Sequence, residues 1–462
     1  MTRSELLAHA PGPSAIANEP PAARAAHPRG LIYLVLTEGW ERFSYYGMVA
    51  LISLYMVGYL LVPGRIEGVV GLGPLREVLE GISGPLSTQA LASQLFGLYS
   101  GLVYFTPVLG GLIADRWIGQ RNAVVLGIIA MSAGHAVMTS DRLFLLALLL
   151  LIVGSGFLKG NISAQVGSLY ARDDDDGRVR GYTFFQTAIN IGGIIGPLLC
   201  GWLAQAYGWH YGFGIAAILM LVALATYLAG YRHLPRPVKA QTTEARPMTP
   251  AERRTVLALL AVMSMTIFQT VASYQVYNVM PVWLQREVAL DVGGFAVPPA
   301  WYQSMWALTC ITGVPPVLWW WRRQAERGHA SDDLSKIRDG AWITAASNLL
   351  LVLGIVTAGD GPVSQVWPLL YVTGLGVSFI LYWPTLMALV SRAAPARLAS
   401  TLMGVVMLTM FVANMTVGVI GGWYERMTPA AFWGVHASIA AVGGVLIVLF
   451  GRRLATALHA SP

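Results

Sequence analysis

The sequence predicts an all-α membrane protein with twelve transmembrane helices. Of its 462 residues, 55% are hydrophobic and 11% are charged, whereas roughly a quarter of the residues in an ordinary soluble domain are charged. The mean hydropathy is +0.59, so the chain has more apolar residues than the interior of a water-soluble protein can hold. The apolar residues also form runs of about the 20 residues that one bilayer crossing requires. Composition therefore excludes a soluble enzyme and indicates a lipid bilayer as the surroundings.

The apolar runs fall into two sets of six, separated by a basic, proline-containing stretch. The predicted spans lie near residues 31–61, 90–114, 122–139, 143–170, 181–206, 211–231, 255–285, 299–321, 340–358, 364–391, 398–423 and 431–451. The predicted division of the chain is a disordered N-terminal tail at 1–29, a first six-helix group at 30–231, a linker at 232–254, a second six-helix group at 255–452 and a C-terminal tail at 453–462.

The distribution of basic residues predicts the orientation, because cytosolic loops carry an excess of Lys and Arg. If both termini are cytosolic, most of the 30 Lys and Arg residues lie on that side. The exceptions are Arg65, Arg76, Arg142, Arg286 and Arg426 on the opposite side, with Arg42 and Lys159 inside spans. The same rule explains the net charge of +7. The prediction is a monomer in a bacterial-type inner (plasma) membrane, with both termini cytosolic and no nucleic-acid partner.

Four charged side chains lie inside the predicted spans, where ionisable groups are costly and usually functional. They are Glu38, Glu41, Arg42 and Lys159. The first three and Tyr45 follow the spacing i, i+3, i+4, i+7, which places them on one face of the first helix. A carboxylate there can bind or release a proton, depending on how close a cation lies. The alternative is that a buried ion pair only anchors the first helix.

No motif in the sequence supports an enzyme. The patterns GxSxG, HExxH and GxxxxGK[ST], which are typical of hydrolysis and of ATP-driven pumping, are absent. Cys200 and Cys310 lie in apolar stretches without metal-ligand spacing, and the four Asp residues at 173–176 have neutralising Arg neighbours. The sequence therefore predicts no catalytic site, no metal and no cofactor.

Four segments carry recognisable motifs: EGWERFSYYG at 38–47, GGLIADRWIGQR at 110–121, GSGFLKGNIS at 154–163 and FFQTAINIGG at 184–193. The first resembles the ExxERFxYYG signature of the proton-dependent oligopeptide transporters, a branch of the major facilitator superfamily. The second resembles the loop motif after their second helix. The third and fourth resemble the segments that carry a lysine and an asparagine on their fourth and fifth helices. All four occur in the order of that family.

The resemblance implies a major facilitator fold, with two six-helix bundles around a central cavity. It also implies import of di- or tripeptides with protons by alternating access. By motif, the implied proton-coupling residues are Glu38, Glu41, Arg42 and Lys159. The implied substrate-binding residues are Arg42, Tyr45, Tyr46, Tyr99, Lys159 and Asn190. The implied gate or loop motif is Gly111, Asp115, Arg116, Gly119 and Arg121.

The sequence departs from the family pattern where a peptide's amino end is expected. Alignment adds Gln269, Trp306 and Phe379 to the substrate site. In the family, however, an asparagine and a glutamate at the last two positions help to hold the peptide ammonium. Val49 and Asn278 likewise replace an arginine and an acidic residue of an outer gate. A peptide or peptide-like substrate is the main prediction. The alternatives are a transported carboxylate that is not a peptide, and a receptor or scaffold without transport.

Overall fold

The structure, a computed structural model, describes residues 27–171, 174–235, 248–329 and 331–459. Most of the predicted N-terminal tail, the middle of the predicted linker, and Arg172 and Asp173 of the acidic run lie outside these residues.

The described chain is almost entirely helical. The first half contains α1 (Gly30–Tyr55), α2 (Leu72–Ser83), α3 (Thr88–Ile113), α4 (Gln120–Val137), α5 (Phe144–Ser168), α6 (Asp175–Tyr207) and α7 (Trp209–Gly230). The second half contains α8 (Pro250–Tyr274), α9 (Val279–Glu287), α10 (Trp301–Thr312), α11 (Val314–Glu326), α12 (Asp333–Ala358), α13 (Val366–Ala393), α14 (Ala399–Gly421) and α15 (Pro429–His459). Strands β1 (Asp291–Val292) and β2 (Phe295–Ala296) pair antiparallel, with Asp291 opposite Ala296.

Among the described residues, ten helical segments are long and apolar enough to cross a membrane, so the chain is a multi-pass membrane protein. Two of the twelve predicted spans are not in that set. The span near 122–139 corresponds to α4, which has 18 residues, and the span near 299–321 is divided between α10 and α11. The structure thus confirms the all-α membrane fold. The number of twelve crossings stays a prediction.

The break between α10 and α11 has a local cause. Pro315 and Pro316 open α11, and a proline inside a continuous helix removes a backbone donor and clashes with the preceding turn. The helix is therefore interrupted at Gly313, whose N–H still donates to the carbonyl of Thr309 at 2.8 Å.

Three features differ from the sequence prediction without changing the architecture. The short helix α2 and the β1–β2 hairpin both occupy segments between predicted spans. The last helix reaches His459 and therefore includes most of the segment predicted as a C-terminal tail.

The two halves meet along closely packed helices. Helix α3 crosses α14 at Gly97 and Gly418, where a Cβ on Gly97 would lie 2.6 Å from the Cα of Gly418. Within the first half, a Cβ on Gly192 of α6 would lie 2.7 Å from the backbone nitrogen of Phe43 on α1. Glycine is required at both crossings, because any side chain would push the helices apart.

We call the end of the molecule that carries loops 61–87 and 287–300 the hairpin end. The opposite end, where α7 ends and α8 begins, is the linker end. At the hairpin end, four hydrogen bonds join the two halves. The donor and acceptor atoms are Ser53 Oγ and Tyr277 O (3.1 Å), Trp301 Nε1 and Leu198 O (3.0 Å), Ser304 Oγ and Ile194 O (2.7 Å), and Gln205 Nε2 and Ala296 O (2.6 Å). Neutral groups therefore hold this end together.

Candidate functional site

A cavity lies between the two halves of the molecule. It has two parts, of about 210 Å³ and about 70 Å³. The two parts share six lining residues: Tyr46, Gln186, Ile189, Tyr277, Trp306 and Phe379. Because these residues come from α1, α6, α10, α13 and the α8–α9 connection, both halves build the wall. We call the two parts together the central cavity.

Helix α1 supplies the charged wall of the central cavity. Glu38, Glu41 and Arg42 are all buried, and Glu41 is 0% exposed. The Nε atom of Arg42 lies 2.9 Å from Glu38 Oε1 and 2.5 Å from Glu41 Oε2. The predicted stripe thus faces the interior, and one guanidinium serves both carboxylates. Buried charges persist only when they are paired in this way.

Lys159 of α5 is the second cation at this wall. Its Nζ lies 4.3 Å from the ring centroid of Tyr45 and 5.2 Å from that of Tyr104. Arg42 Cζ lies 5.4 Å from the ring centroid of Tyr45. Both cations therefore contact Tyr45, and cation–π attraction stabilises each of them. With Glu38 and Glu41 ionised, the two cations and two carboxylates sum to zero formal charge.

Six of the nine residues predicted to bind substrate line the central cavity: Arg42, Tyr45, Tyr46, Asn190, Trp306 and Phe379. The other three are Tyr99, Lys159 and Gln269, which are not part of the described lining. Tyr99 and Gln269 are buried, and the Lys159 ammonium lies against the Tyr45 ring. Among the described residues that line the cavity, Arg42 is the one charged side chain.

The second half contributes an aromatic wall. The ring centroids of Trp306 and Phe379 are 5.3 Å apart and edge-to-face, and those of Tyr277 and Trp306 are 5.6 Å apart with the same geometry. Phe379 also stacks on Trp383 at 6.2 Å. Edge-to-face pairs are favourable because the positive edge of one ring meets the negative face of the other. The side chains of Trp306 and Phe379 are thus part of one packed aromatic cluster.

Several lining residues were not predicted from the sequence: Ser100, Tyr104, Gln186, Tyr274, Tyr277, Gln303, Trp383 and Asn414. One of them had a usable signal. Gln186 precedes Asn190 by four residues within the same motif, so the two share a helix face, and Gln186 Nε2 lies 3.5 Å from Asn190 Oδ1. Asn414 on α14 has no flanking motif, and only the fold brings it to the cavity.

Val49 and Asn278, which the resemblance places at an outer gate, take part in neutral packing. Val49 lines the central cavity. The amide nitrogen of Asn278 donates to Gln275 Oε1 at 3.2 Å and to the carbonyl of Val417 at 3.3 Å. Asn278 therefore ties the α8–α9 connection to α14 rather than pairing with a charge on α1.

The predicted loop motif is divided between exposed and anchoring residues. Asp115 and Arg116 are exposed. Arg121 is anchored, since its Nη2 donates to the carbonyl of Leu234 and its Nε donates to the carbonyl of Pro235 at 2.8 Å. Gly119, with φ +77°, and Gly111 complete the motif, and only glycine adopts that φ readily. Arg121 is thus the residue that fastens α4 to the end of the first half.

The described part of the acidic run has a structural role. Asp174 accepts a hydrogen bond from the backbone N–H of Gly177 at 2.8 Å and so caps α6. Asp175 pairs with Arg178 at 3.1 Å. Within the described ranges, no group of three or more His, Cys, Asp and Glu side chains is arranged to hold a metal ion.

Comparisons with known proteins agree with this geometry. The family model of the POT family matches residues 121–249 and 234–433. A peptide transporter of Yersinia enterocolitica is 27% identical over 500 residues, covering 92% of this chain and 94% of that protein. A di-/tripeptide transporter of Lactococcus lactis subsp. cremoris is 26% identical over 497 residues, covering 92% and 96%.

A crystal structure of the peptide transporter POT with sulfate superimposes with a TM-score of 0.81 at 23% identity, covering 94% of this chain and 96% of that one. This likeness shows a fold of the major facilitator type. The relatives and the structural neighbours are transporters and not enzymes.

Proposed function

This chain belongs to the POT family, and we propose that it is a proton-coupled symporter that imports di- and tripeptides or peptide-like molecules by alternating access. The relatives named above are peptide transporters. Solved structures of similar transporters hold alafosfalin or 5-aminolevulinic acid, both of which are small and peptide-like.

One observation carries the proposal: Arg42 contacts both buried carboxylates and also lines the central cavity. A substrate carboxylate that approaches Arg42 competes with Glu38 and Glu41 for the same guanidinium. The carboxylate that loses its partner then becomes easier to protonate. Binding of substrate and binding of a proton are thereby linked through one side chain.

The contacts between the halves support alternating access. At the hairpin end the halves are joined by four hydrogen bonds and by the close crossing of α3 and α14. With the linker end in the cytosol of a bacterial cell, this arrangement corresponds to a state closed toward the outside. Residues 30–231 and 255–452 would then move as two bodies within one monomer, and rupture of the hairpin-end contacts would open the cavity outward.

The test is uptake into proteoliposomes with an imposed proton gradient, screened over labelled di- and tripeptides. We expect accumulation above equilibrium that stops when a protonophore collapses the gradient. Binding without accumulation would favour a receptor or scaffold and contradict the proposal.

The second candidate is transport of a carboxylate that is not a peptide. The observation in its favour is the aromatic wall, because among the described residues lining the cavity no carboxylate faces a substrate ammonium. The same screen, extended to small carboxylates, decides between the two. Accumulation of simple carboxylates with no uptake of any peptide would favour this second candidate.

A further inference from the structure

Two buried polar atoms in the wall of the smaller part of the central cavity have no hydrogen-bond partner among the described residues. They are the indole Nε1 of Trp306 and the side-chain Oε1 of Gln303. Both residues line the smaller part of the cavity, and they are only 9% and 3% exposed. Since they are three residues apart on α10, they lie on the same helix face. Buried polar groups are nearly always paired, so these two point to a ligand.

The neighbours of each side chain define which atom is free. Gln303 Nε2 donates to the carbonyl of Val276 at 3.4 Å, which leaves Oε1 as the free acceptor. Tyr277 and Phe379 pack edge-to-face against the indole of Trp306. The indole N–H can only donate. Gln303 and Trp306 therefore offer one acceptor and one donor next to aromatic rings.

We propose that Gln303 and Trp306 form a subsite that recognises a neutral secondary amide at the amino end of the substrate, so that N-acylated peptides are preferred over peptides with a free amine. The inference rests on the proposed peptide transport. A secondary amide has a carbonyl that accepts from Trp306 Nε1 and an N–H that donates to Gln303 Oε1. The acyl group then packs against Phe379 and Tyr277.

A free ammonium fits this subsite poorly. It carries only donors, so it cannot accept from the indole of Trp306. The other polar side chains that line the smaller part are neutral as well: Tyr46, Gln186, Asn190 and Tyr277. In the larger part, Asn414 Oδ1 is a neutral acceptor that also lacks a partner among the described residues. An ammonium desolvated among the rings would therefore have no carboxylate to offset the loss of its water.

The position of Arg42 sets the direction of the substrate. Arg42 lines the larger part of the cavity, and Trp306 lines both parts. A substrate carboxylate at Arg42 consequently leaves the amino end toward α10. The free atoms of Gln303 and Trp306 are shielded from solvent, and the smaller part measures about 70 Å³. Binding therefore requires these side chains to move apart around the acyl group.

The test compares direct uptake of labelled Ala-Phe and N-acetyl-Ala-Phe in proteoliposomes. The wild-type protein should take up the acetylated peptide with a KM about tenfold lower, the equivalent of one well-formed hydrogen bond in a buried site. Trp306→Phe keeps an aromatic ring but removes the N–H, so the KM ratio of the two peptides should fall toward one. Trp319→Phe is the matched control, since it removes the N–H of an exposed indole outside the described cavity lining and should preserve the ratio.

Three results would overturn the inference. They are a wild-type preference for the free amine, an unchanged ratio in Trp306→Phe, and an equal collapse of the ratio in Trp319→Phe. Accumulation of Ala-Phe without N-acetyl-Ala-Phe would refute this subsite while leaving peptide transport intact. Failure to accumulate either peptide would refute both proposals. The wild-type comparison stands even if the Trp306 variant does not fold.

Discussion

The two walls of the central cavity have opposite chemistry although they face the same space. The first half contributes Arg42, which is held by two buried carboxylates and has Lys159 close by. The second half contributes Trp306, Phe379 and further rings in edge-to-face contact. The proposed function therefore assigns proton binding and carboxylate recognition to the first half, and selection by shape and by neutral hydrogen bonds to the second half.

The difference has an energetic reason. A buried charge is tolerated only with close partners, so charges in one wall must cluster. An aromatic wall needs no charged partners, because its rings are uncharged and stabilise one another by edge-to-face packing. The charged groups are therefore collected on the wall of the first half, and the wall of the second half is free to be apolar.

The largest expected effect comes from neutralising the charged wall. Glu41→Gln keeps the size of the side chain but removes the proton site, so gradient-driven accumulation should be abolished. Counterflow exchange should persist, because it needs no net proton movement. The same is expected for Glu38→Gln. The exposed Glu77 provides the control, since Glu77→Gln should retain full accumulation. Full concentrative uptake in both buried variants would refute the assignment of proton coupling to α1.

The second effect concerns the substrate carboxylate. A charge-assisted contact contributes roughly 1.5–3 kcal/mol, so converting the carboxylate of a transported peptide to its amide should weaken binding about tenfold or more. Lys159→Ala should have a smaller effect on affinity than this conversion, because Lys159 lies against the Tyr45 ring and outside the described lining. Equal affinity of the wild-type protein for acid and amide would contradict the prediction.

The third prediction concerns a variant that adds a negative charge to the aromatic wall. Phe379→Glu places a carboxylate in the aromatic wall, and an ammonium paired with it should gain about tenfold in affinity or more relative to the acetylated peptide. Phe379→Gln is the neutral control. The measurement is the KM ratio of free to N-acetyl dipeptide, after size-exclusion chromatography has verified folding. An identical ratio in both variants would show that residue 379 does not meet the amino end.

The smallest effect concerns Glu80, an acid of the first half outside the central cavity. It serves as a comparison for the buried acids Glu38 and Glu41. The hydrogen bond from Arg76 to Glu80, 2.8 Å long, lowers the pKa of Glu80 below its ordinary 4.5. Because the folded pKa is the lower one, this contact stabilises α2 above the unfolded pKa, and the stabilisation is lost as pH falls through the folded pKa.

Hydrogen exchange of the α2 amides provides the measurement for Glu80. Glu80→Gln should lower their protection slightly at neutral pH, and the difference from wild type should vanish once the pH lies below the folded-state pKa of Glu80. The effect is small because solvent screens exposed pairs. A difference in protection that grows as the pH falls would contradict this prediction.

The charged face of α1 was predictable from the sequence, and so were the apolar segments and the family. Span length, the spacing of Glu38, Glu41 and Arg42, and local motifs are all properties of short stretches of chain. The missed elements, α2 and the β1–β2 hairpin, are short and lie between spans, where no long apolar run signals them. The division of the eighth predicted span has a visible cause in the sequence, Pro315 and Pro316. The length of the apolar run nevertheless predicted one continuous span there.

Only the tertiary structure decided which side chains share the central cavity. Asn414, Trp383 and Tyr104 reach it because α14, α13 and α3 converge there, and nothing in their local sequence signals the convergence. The fold likewise decided that Lys159 lies against Tyr45, and that Ser53 meets the carbonyl of Tyr277 at the hairpin end. These contacts join residues far apart in sequence. Their geometry depends on how complete helices pack, which spacing along one helix cannot encode.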